Sequence, residues 1–105
     1  MLPYQNPQLD IEARLDDLIS RMTLEELIWQ TDQYASTSVD PGPSGDPSRV
    51  FSLEKMEEKF HGCSAGSVGA WGITAAHSNQ IQRYAVEHTR LGIPVMFVEE
   101  GLHGV

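Results

Sequence analysis

Ile93-Pro94-Val95-Met96-Phe97-Val98, followed by Glu99-Glu100-Gly101-Leu102-His103-Gly104-Val105, decides how this chain is read. A continuous apolar run with a proline near its start, where no ladder donor is needed, predicts a strand buried on both faces of a parallel sheet. Carboxylates and a histidine just past the carboxyl end of such a strand lie where open sheets and barrels bind ligands. Glu99, Glu100 and His103 are therefore better site candidates than polar residues elsewhere. The sequence stops at Val105 with no capping element after the strand, which predicts the front part of something larger.

Working back along the chain, Ser67-Val68-Gly69-Ala70-Trp71 reads as a second short strand. Thr74 can then cap a helix whose buried stripe is Ile81, Tyr84, Ala85 and His88 and which ends at Leu91-Gly92. Strand, helix and strand within roughly 30 residues match a crossover unit, so the two strands are expected to be parallel neighbours in an α/β fold. Leu53 to Phe60 reads as a helix capped by Ser52, with His61 in its last turn and Gly62 ending it.

From 36 to 48 the chain carries three prolines, two glycines, four serines and two aspartates, which favour turns and leave little to bury. Before this loop, Ile11, Leu15, Leu18 and Ile19 fall at helical spacing behind Asp10, which predicts a helix over 11–20. Thr23 and Glu26 form a capping box, with Met22 and Leu27 placed as a hydrophobic staple, so a second helix should start at Leu24. It is expected to bury Leu24, Leu27, Ile28 and either Trp29 or Thr31, and to end near 33–35. The organisation is thus a helical lead-in over 1–35, a loop over 36–48, and an α/β part from 49 to 105.

Composition excludes some partners. Seven basic against fifteen acidic residues give a formal charge of -8, whereas binding a phosphate backbone needs clustered Lys and Arg, so nucleic acid is not expected. No stretch approaches the roughly 18 apolar residues of a membrane span. Met1-Leu2-Pro3-Tyr4-Gln5-Asn6 lacks a basic segment followed by an apolar one, so no secretory leader is read there and a cytoplasmic product is expected. The single cysteine, Cys63, has no internal disulfide partner and no activating base beside it, and it reads as a plain buried or loop thiol. The isolated glycines form no phosphate-binding fingerprint, so no nucleotide cofactor is read.

Glu99 and Glu100 suggest the carboxylate pair of a glycosidase, but geometry refuses that role. Side chains alternate sides along a strand, and retaining catalysis needs two carboxyl groups about 5 to 5.5 Å apart facing across a sugar. One of the two at most points into a site, where an ionised carboxylate would accept hydrogen bonds from ligand hydroxyls. Glu100 and His103 also have the glutamate-x-x-histidine spacing of bundle metal sites, but a strand precedes them and no second copy exists, so no metal is expected. His103 reads instead as a loop-holding imidazole. Trp71, at the end of its strand, could stack on a sugar ring but is read first as a packing residue. His61, His77 and His88 read as surface or helix-face residues.

Three segments together form a known pattern: Leu18-Ile19-Ser20-Arg21-Met22-Thr23-Leu24-Glu25-Glu26, then Arg90-Leu91-Gly92-Ile93-Pro94, then Glu99-Glu100-Gly101-Leu102-His103-Gly104. In this order they resemble the amino-terminal end of glycoside hydrolase family 3, the β-glucosidase and β-xylosidase family, from about Ile11 to Val105. The resemblance implies a helical lead-in followed by the first strands of an incomplete (β/α)8 TIM barrel. It implies a fragment of a retaining β-glycosidase that hydrolyses terminal non-reducing β-D-glycosyl residues of a glycoside or oligosaccharide.

In the family, the acidic residue three positions before the histidine binds hydroxyls of the sugar in the cleaved subsite, and it matches Glu100. Many members have Asp there. Glu99, His103 and Trp71 are further candidates for that subsite. Leu27 replaces a lysine usual in the family. The family's aspartate nucleophile and its acid/base have no counterpart in this sequence, so no catalytic residue carries over. A reading from a different class is a non-catalytic remnant that binds carbohydrate or protein. Either way, open strand edges predict association.

Overall fold

The computed structural model describes residues 1–36, 52–70 and 72–102. Most of the expected loop over 36–48, together with Trp71 and His103, lies outside these residues. Four helices and three short strands follow in the order α1 (Ile11–Arg21), α2 (Leu24–Gln30), β1 (Gln33–Ala35), α3 (Leu53–Phe60), β2 (Ser67–Gly69), α4 (Ala75–Glu87) and β3 (Met96–Val98). The fold is α/β, with the strands in one parallel sheet ordered β1-β2-β3.

Helix starts follow local chemistry. Asp10 accepts from the Glu12 amide at 3.0 Å. Thr23 and Glu26 form the expected box: Thr23 Oγ1 accepts from the Glu26 amide at 3.2 Å, and Glu26 Oε2 accepts from the Thr23 amide at 2.8 Å. Ser52 and Thr74 cap α3 and α4 in the same way. His61 is the C-cap of α3 and adopts the left-handed conformation at φ 49°, and Gly62 follows at φ 78°.

The strands depart from expectation at three points. Gln33, Tyr34 and Ala35, expected as the end of α2, form β1 and pair with Ser67, Val68 and Gly69. The cause is tertiary: Tyr34 is buried edge-on against Phe60, 4.7 Å between ring centroids, and its ladder to β2 completes the sheet. The last strand is shorter than 93–98. It is not buried on both faces, because Met96 is 64% exposed. The first strand from the sequence reading, β2, ends at Gly69.

One face of the sheet carries the core. Tyr34, Met56, Phe60, Ala65, Val68, Ile81, Tyr84, Ala85 and Val95 are buried together, with Trp29, Ile73 and Phe97 packed against them. Helices α3 and α4 supply Met56, Phe60, Ile81, Tyr84 and Ala85, so this is the covered face. On α4 the fourth buried residue is His77, not His88. His77 sits in the first turn, its Nδ1 3.0 Å from Thr74 Oγ1, whereas His88 is the exposed C-cap with its ring stacked on Tyr84 at 6.0 Å.

The lead-in helices keep their amphipathic patterns but not the predicted burial. Leu24 is 74% and Ile28 59% exposed, Leu27 is also exposed, and Ile11, Leu15 and Ile19 on α1 are exposed as well. Only Trp29 turns inward. A period of 3.6 says which residues share a face; a covering surface is needed to bury them, and among the described residues none covers this one.

Polar links tie the lead-in to the rest. The Tyr4 hydroxyl donates to the Leu91 carbonyl at 2.7 Å. Asp17 accepts from the Tyr4 amide and pairs with Arg21 at 2.8 Å, and the Arg21 guanidinium holds its carboxyl below the usual range. Arg90, between α4 and β3, grips Glu26 through Nε at 3.0 Å and Nη2 at 2.6 Å, and Nη2 also donates to the Arg21 carbonyl at 2.7 Å. At the other side, the Gly66 amide donates to the Trp29 carbonyl at 2.9 Å. The chains approach so closely there that a Cβ on Gly66 would stand 2.1 Å from the Gln30 carbonyl oxygen.

Gly66→Ala should therefore lower the unfolding free energy by about 3 kcal/mol, because the obstructing atom is backbone and cannot turn aside; an unchanged midpoint in urea denaturation would contradict this. The Arg90 guanidinium, and after it the Thr23 amide, holds the Glu26 carboxyl below its ordinary value of 4.5. The folded chain then binds that proton more weakly than the unfolded chain, so the stabilisation is complete above the ordinary value and is lost as pH falls through the depressed one. In acid titrations of the melting temperature, Glu26→Gln should lie below wild type near neutrality and converge with it at low pH.

Candidate functional site

The carboxyl ends of the three strands lie side by side. Ala35, Gly69 and Val98 are in register, and the Ala70 amide donates to the Val98 carbonyl at 2.9 Å, carrying the β2–β3 ladder one residue beyond the strand. Ser36, Ala70 and Glu99 are the next residues on the three chains. Parallel sheets collect ligands at this end because every strand delivers its following loop there.

Facing is set by the pleat. Phe97 shares a row with Tyr34 and Val68 and packs against the core, so that row belongs to the covered face. Met96 and Val98 alternate to the opposite face, where Met96 is largely exposed. Glu99 and Glu100 lie beyond the strand, and alternation continued past Val98 would put Glu100 with Met96 and Val98, and Glu99 with Phe97. Both glutamates are exposed, and the Glu100 amide approaches Glu99 Oε1 at 3.4 Å. Trp71 and His103 fall outside the described residues, so neither is brought to this end or away from it.

Ser36 falls in the expected loop over 36–48, whose composition leaves little to bury. It is 1% exposed, and its Oγ has no hydrogen-bond partner among the described residues. A serine followed by turn-forming residues carries no sequence signal for burial; the signal is the strand before it, which the pattern did not show.

The other reactive side chains have structural surroundings. Cys63 is a free, buried thiol whose pKa is pushed up, first by burial and then by the nearby Glu25 and Glu26 carboxylates, the opposite of what a nucleophile needs. It borders a cavity of about 10 Å³ lined by Met22, Glu26, Gln30 and Leu91 among others. Tyr84 donates to Glu57 Oε2 at 3.0 Å, and burial together with that carboxylate pushes its hydroxyl pKa up. A larger groove, about 280 Å³, is formed by Tyr4, Ile11, Arg14, Leu15 and Leu18 and includes no residue from a strand end. Among the described residues, no group of three or more His, Cys, Asp or Glu could hold a metal ion, and no helix is long and apolar enough to cross a membrane.

No family profile matches the chain. Individual relatives do. A putative beta-xylosidase of Formosa agariphila is 33% identical over 107 residues, covering 97% of this chain and 14% of the relative. Beta-glucosidase C of Emericella nidulans is 35% identical over 103 residues, covering 95% of this chain and 16% of the relative. A probable beta-glucosidase C of Aspergillus flavus is 33% identical over 107 residues, with 95% and 16% covered. The chain spans less than a fifth of the length of these curated relatives. Across 95–97% of its own length the chain is similar to these β-xylosidase and β-glucosidase relatives, in keeping with the glycoside hydrolase family 3 resemblance of its three motifs.

Proposed function

We propose that this chain is the amino-terminal part of a retaining β-glycosidase acting on terminal non-reducing β-D-glycosyl residues, and that Glu100 supplies part of its sugar-binding subsite. What supports this reading is the sequential parallel order β1-β2-β3, with Glu100 exposed two residues past the carboxyl end of β3; alternation continued past Val98 would set it on the face that α3 and α4 leave bare. A sheet that grows strand by strand in chain order, with helices on one face, is what the start of a (β/α)8 barrel requires; its bare face, bearing Gln33, Ser67 and Met96, would then be the barrel interior. The printed names of the relatives, beta-xylosidase and beta-glucosidase, support a glycoside as substrate.

The chemistry assigned to Glu100 is binding. Its ionised carboxylate accepts from two sugar hydroxyls, and such contacts are charge-assisted and strengthen as the ring approaches an oxocarbenium-like transition state. Glu99, on the other face, is not given that role. His103 and Trp71 stay candidates for the same subsite through the resemblance alone. The nucleophile and the acid/base are assigned to no residue of this chain, because the two adjacent glutamates cannot face each other across a sugar. The lead-in over 1–35 and the part from 49 to 105 would meet the rest of the barrel through the bare helix stripes and the outer edge of β3. The same uncovered surfaces predict self-association of the chain on its own.

One observation favours the second reading, a non-catalytic remnant that binds carbohydrate or protein: the described residues already bury a continuous aromatic core around Phe60. A cooperative thermal transition by a monomer would select it.

Assayed alone, the 105-residue chain should hydrolyse aryl β-glucosides and β-xylosides no faster than a catalyst-free blank. Turnover that Glu100→Gln abolishes would overturn the assignment of roles. Glu100→Gln should instead weaken binding of methyl β-glucoside by about tenfold, as expected for loss of a charge-assisted hydrogen bond, and an unaltered titration curve would remove Glu100 from the subsite.

A further inference from the structure

Strand β3 is held at its entry by a side chain instead of a neighbouring strand. The Val95 amide donates to Gln82 Oε1 at 2.8 Å, and Gln82 Nε2 donates to the Val95 carbonyl at 3.2 Å. One carboxamide from the middle of α4 thus satisfies both backbone groups of one residue. Val95 is buried, where an unpaired amide and carbonyl would be costly.

The ladder fixes which side of β3 this is. In a parallel pair, residues whose backbone groups face the partner alternate with residues whose groups face away. The Met96 amide donates to the Gly66 carbonyl at 3.1 Å, and the Val98 carbonyl accepts from the Ala70 amide at 2.9 Å. Met96 and Val98 therefore face β2, and Val95 and Phe97 face the outer edge. Gln82 occupies the first row of that edge.

This matters because β3 is only three residues long and Pro94, just before Val95, has no amide to donate. Pairing over only three residues, Met96–Val98 with Ser67–Gly69, leaves little to resist a slip. A slip of one residue turns every side chain of a strand to the other face, which here would exchange Glu99 and Glu100. We propose that Gln82 is a positioning residue for the sugar subsite: by pinning Val95 from the outer edge it fixes the register of β3 and so keeps Glu100, not Glu99, on the bare face. The proposal rests on the reading of Glu100 as a sugar contact.

The test uses the isotope-labelled 105-residue chain, with amide exchange and a methyl β-glucoside titration followed by NMR in wild type, Gln82→Leu and Gln82→Glu. In Gln82→Leu the Val95 amide should exchange about tenfold faster or more, with Val68 in β2 still protected, and the glucoside-induced shift at Glu100 should fall. Gln82→Glu keeps an acceptor for the Val95 amide, so it should retain that protection and recover part of the response at Glu100. Equal Val95 exchange in wild type and Gln82→Leu would overturn the clamp. An undiminished Glu100 response in a Gln82→Leu chain that has lost Val95 protection would overturn the positioning role. If Gln82→Leu fails to fold, loss of Val95 protection in a folded Gln82→Glu chain overturns the clamp and its retention supports it. A wild-type chain with no glucoside response at Glu100 overturns the sugar reading, and the positioning role with it, even where Val95 exchange upholds the clamp.

Discussion

Phe60 joins the layers of this fold. It is 1% exposed and stands edge-on to Trp29 at 4.9 Å and to Tyr34 at 4.7 Å, with Tyr84 at 6.4 Å, so one ring at the end of α3 touches residues from α2, β1 and α4. Edge contacts of this kind add to the area that large rings bury. The polar tips of the two tyrosines are accommodated at the rim of the cluster: Tyr34 donates to Met56 Sδ and Tyr84 to Glu57. Burial pushes both hydroxyl pKa values up, which disfavours tyrosinate within the cluster. Placing β1 against Phe60 brings its carboxyl end beside that of β2.

Much of this was legible because it is written locally. Asp10, Thr23 with Glu26, Ser52 and Thr74 each accept from an amide within the next few residues, and four helix starts follow from that chemistry alone. The parallel pairing of β2 with β3 followed from the length of the connection between them. β1 was not legible: Gln33, Tyr34 and Ala35 offer no apolar run, and their strand conformation depends on residues 34 positions away. Burial of the lead-in helices was misjudged for a related reason, since Leu24 and Ile28 have the right spacing but no surface over them among the described residues. On α4 the buried stripe begins one turn earlier, at His77 four residues before Ile81, and stops short of His88, which is the exposed C-cap.

At the site, parity was readable and environment was not. The expectation that adjacent glutamates face opposite ways needs only the pleat, and the shared facing of Met96 and Val98 follows from it once Phe97 is found on the covered face. The buried Ser36 hydroxyl and the Gln82 clamp on Val95 have no signature in the sequence, because each depends on a strand edge whose position the sequence does not mark.

The hydrogen bond from Tyr4 to the Leu91 carbonyl spans 87 positions of sequence. On a ribosome the chain emerges from its amino end, so the first helices leave the tunnel long before the turn they fasten to exists. β1 likewise waits for β2. Contacts this distant are formed late and slow the search for the native state. Throughout that interval α1 and α2 are without the polar contacts to Leu91 and Arg90 that fasten them in the folded chain.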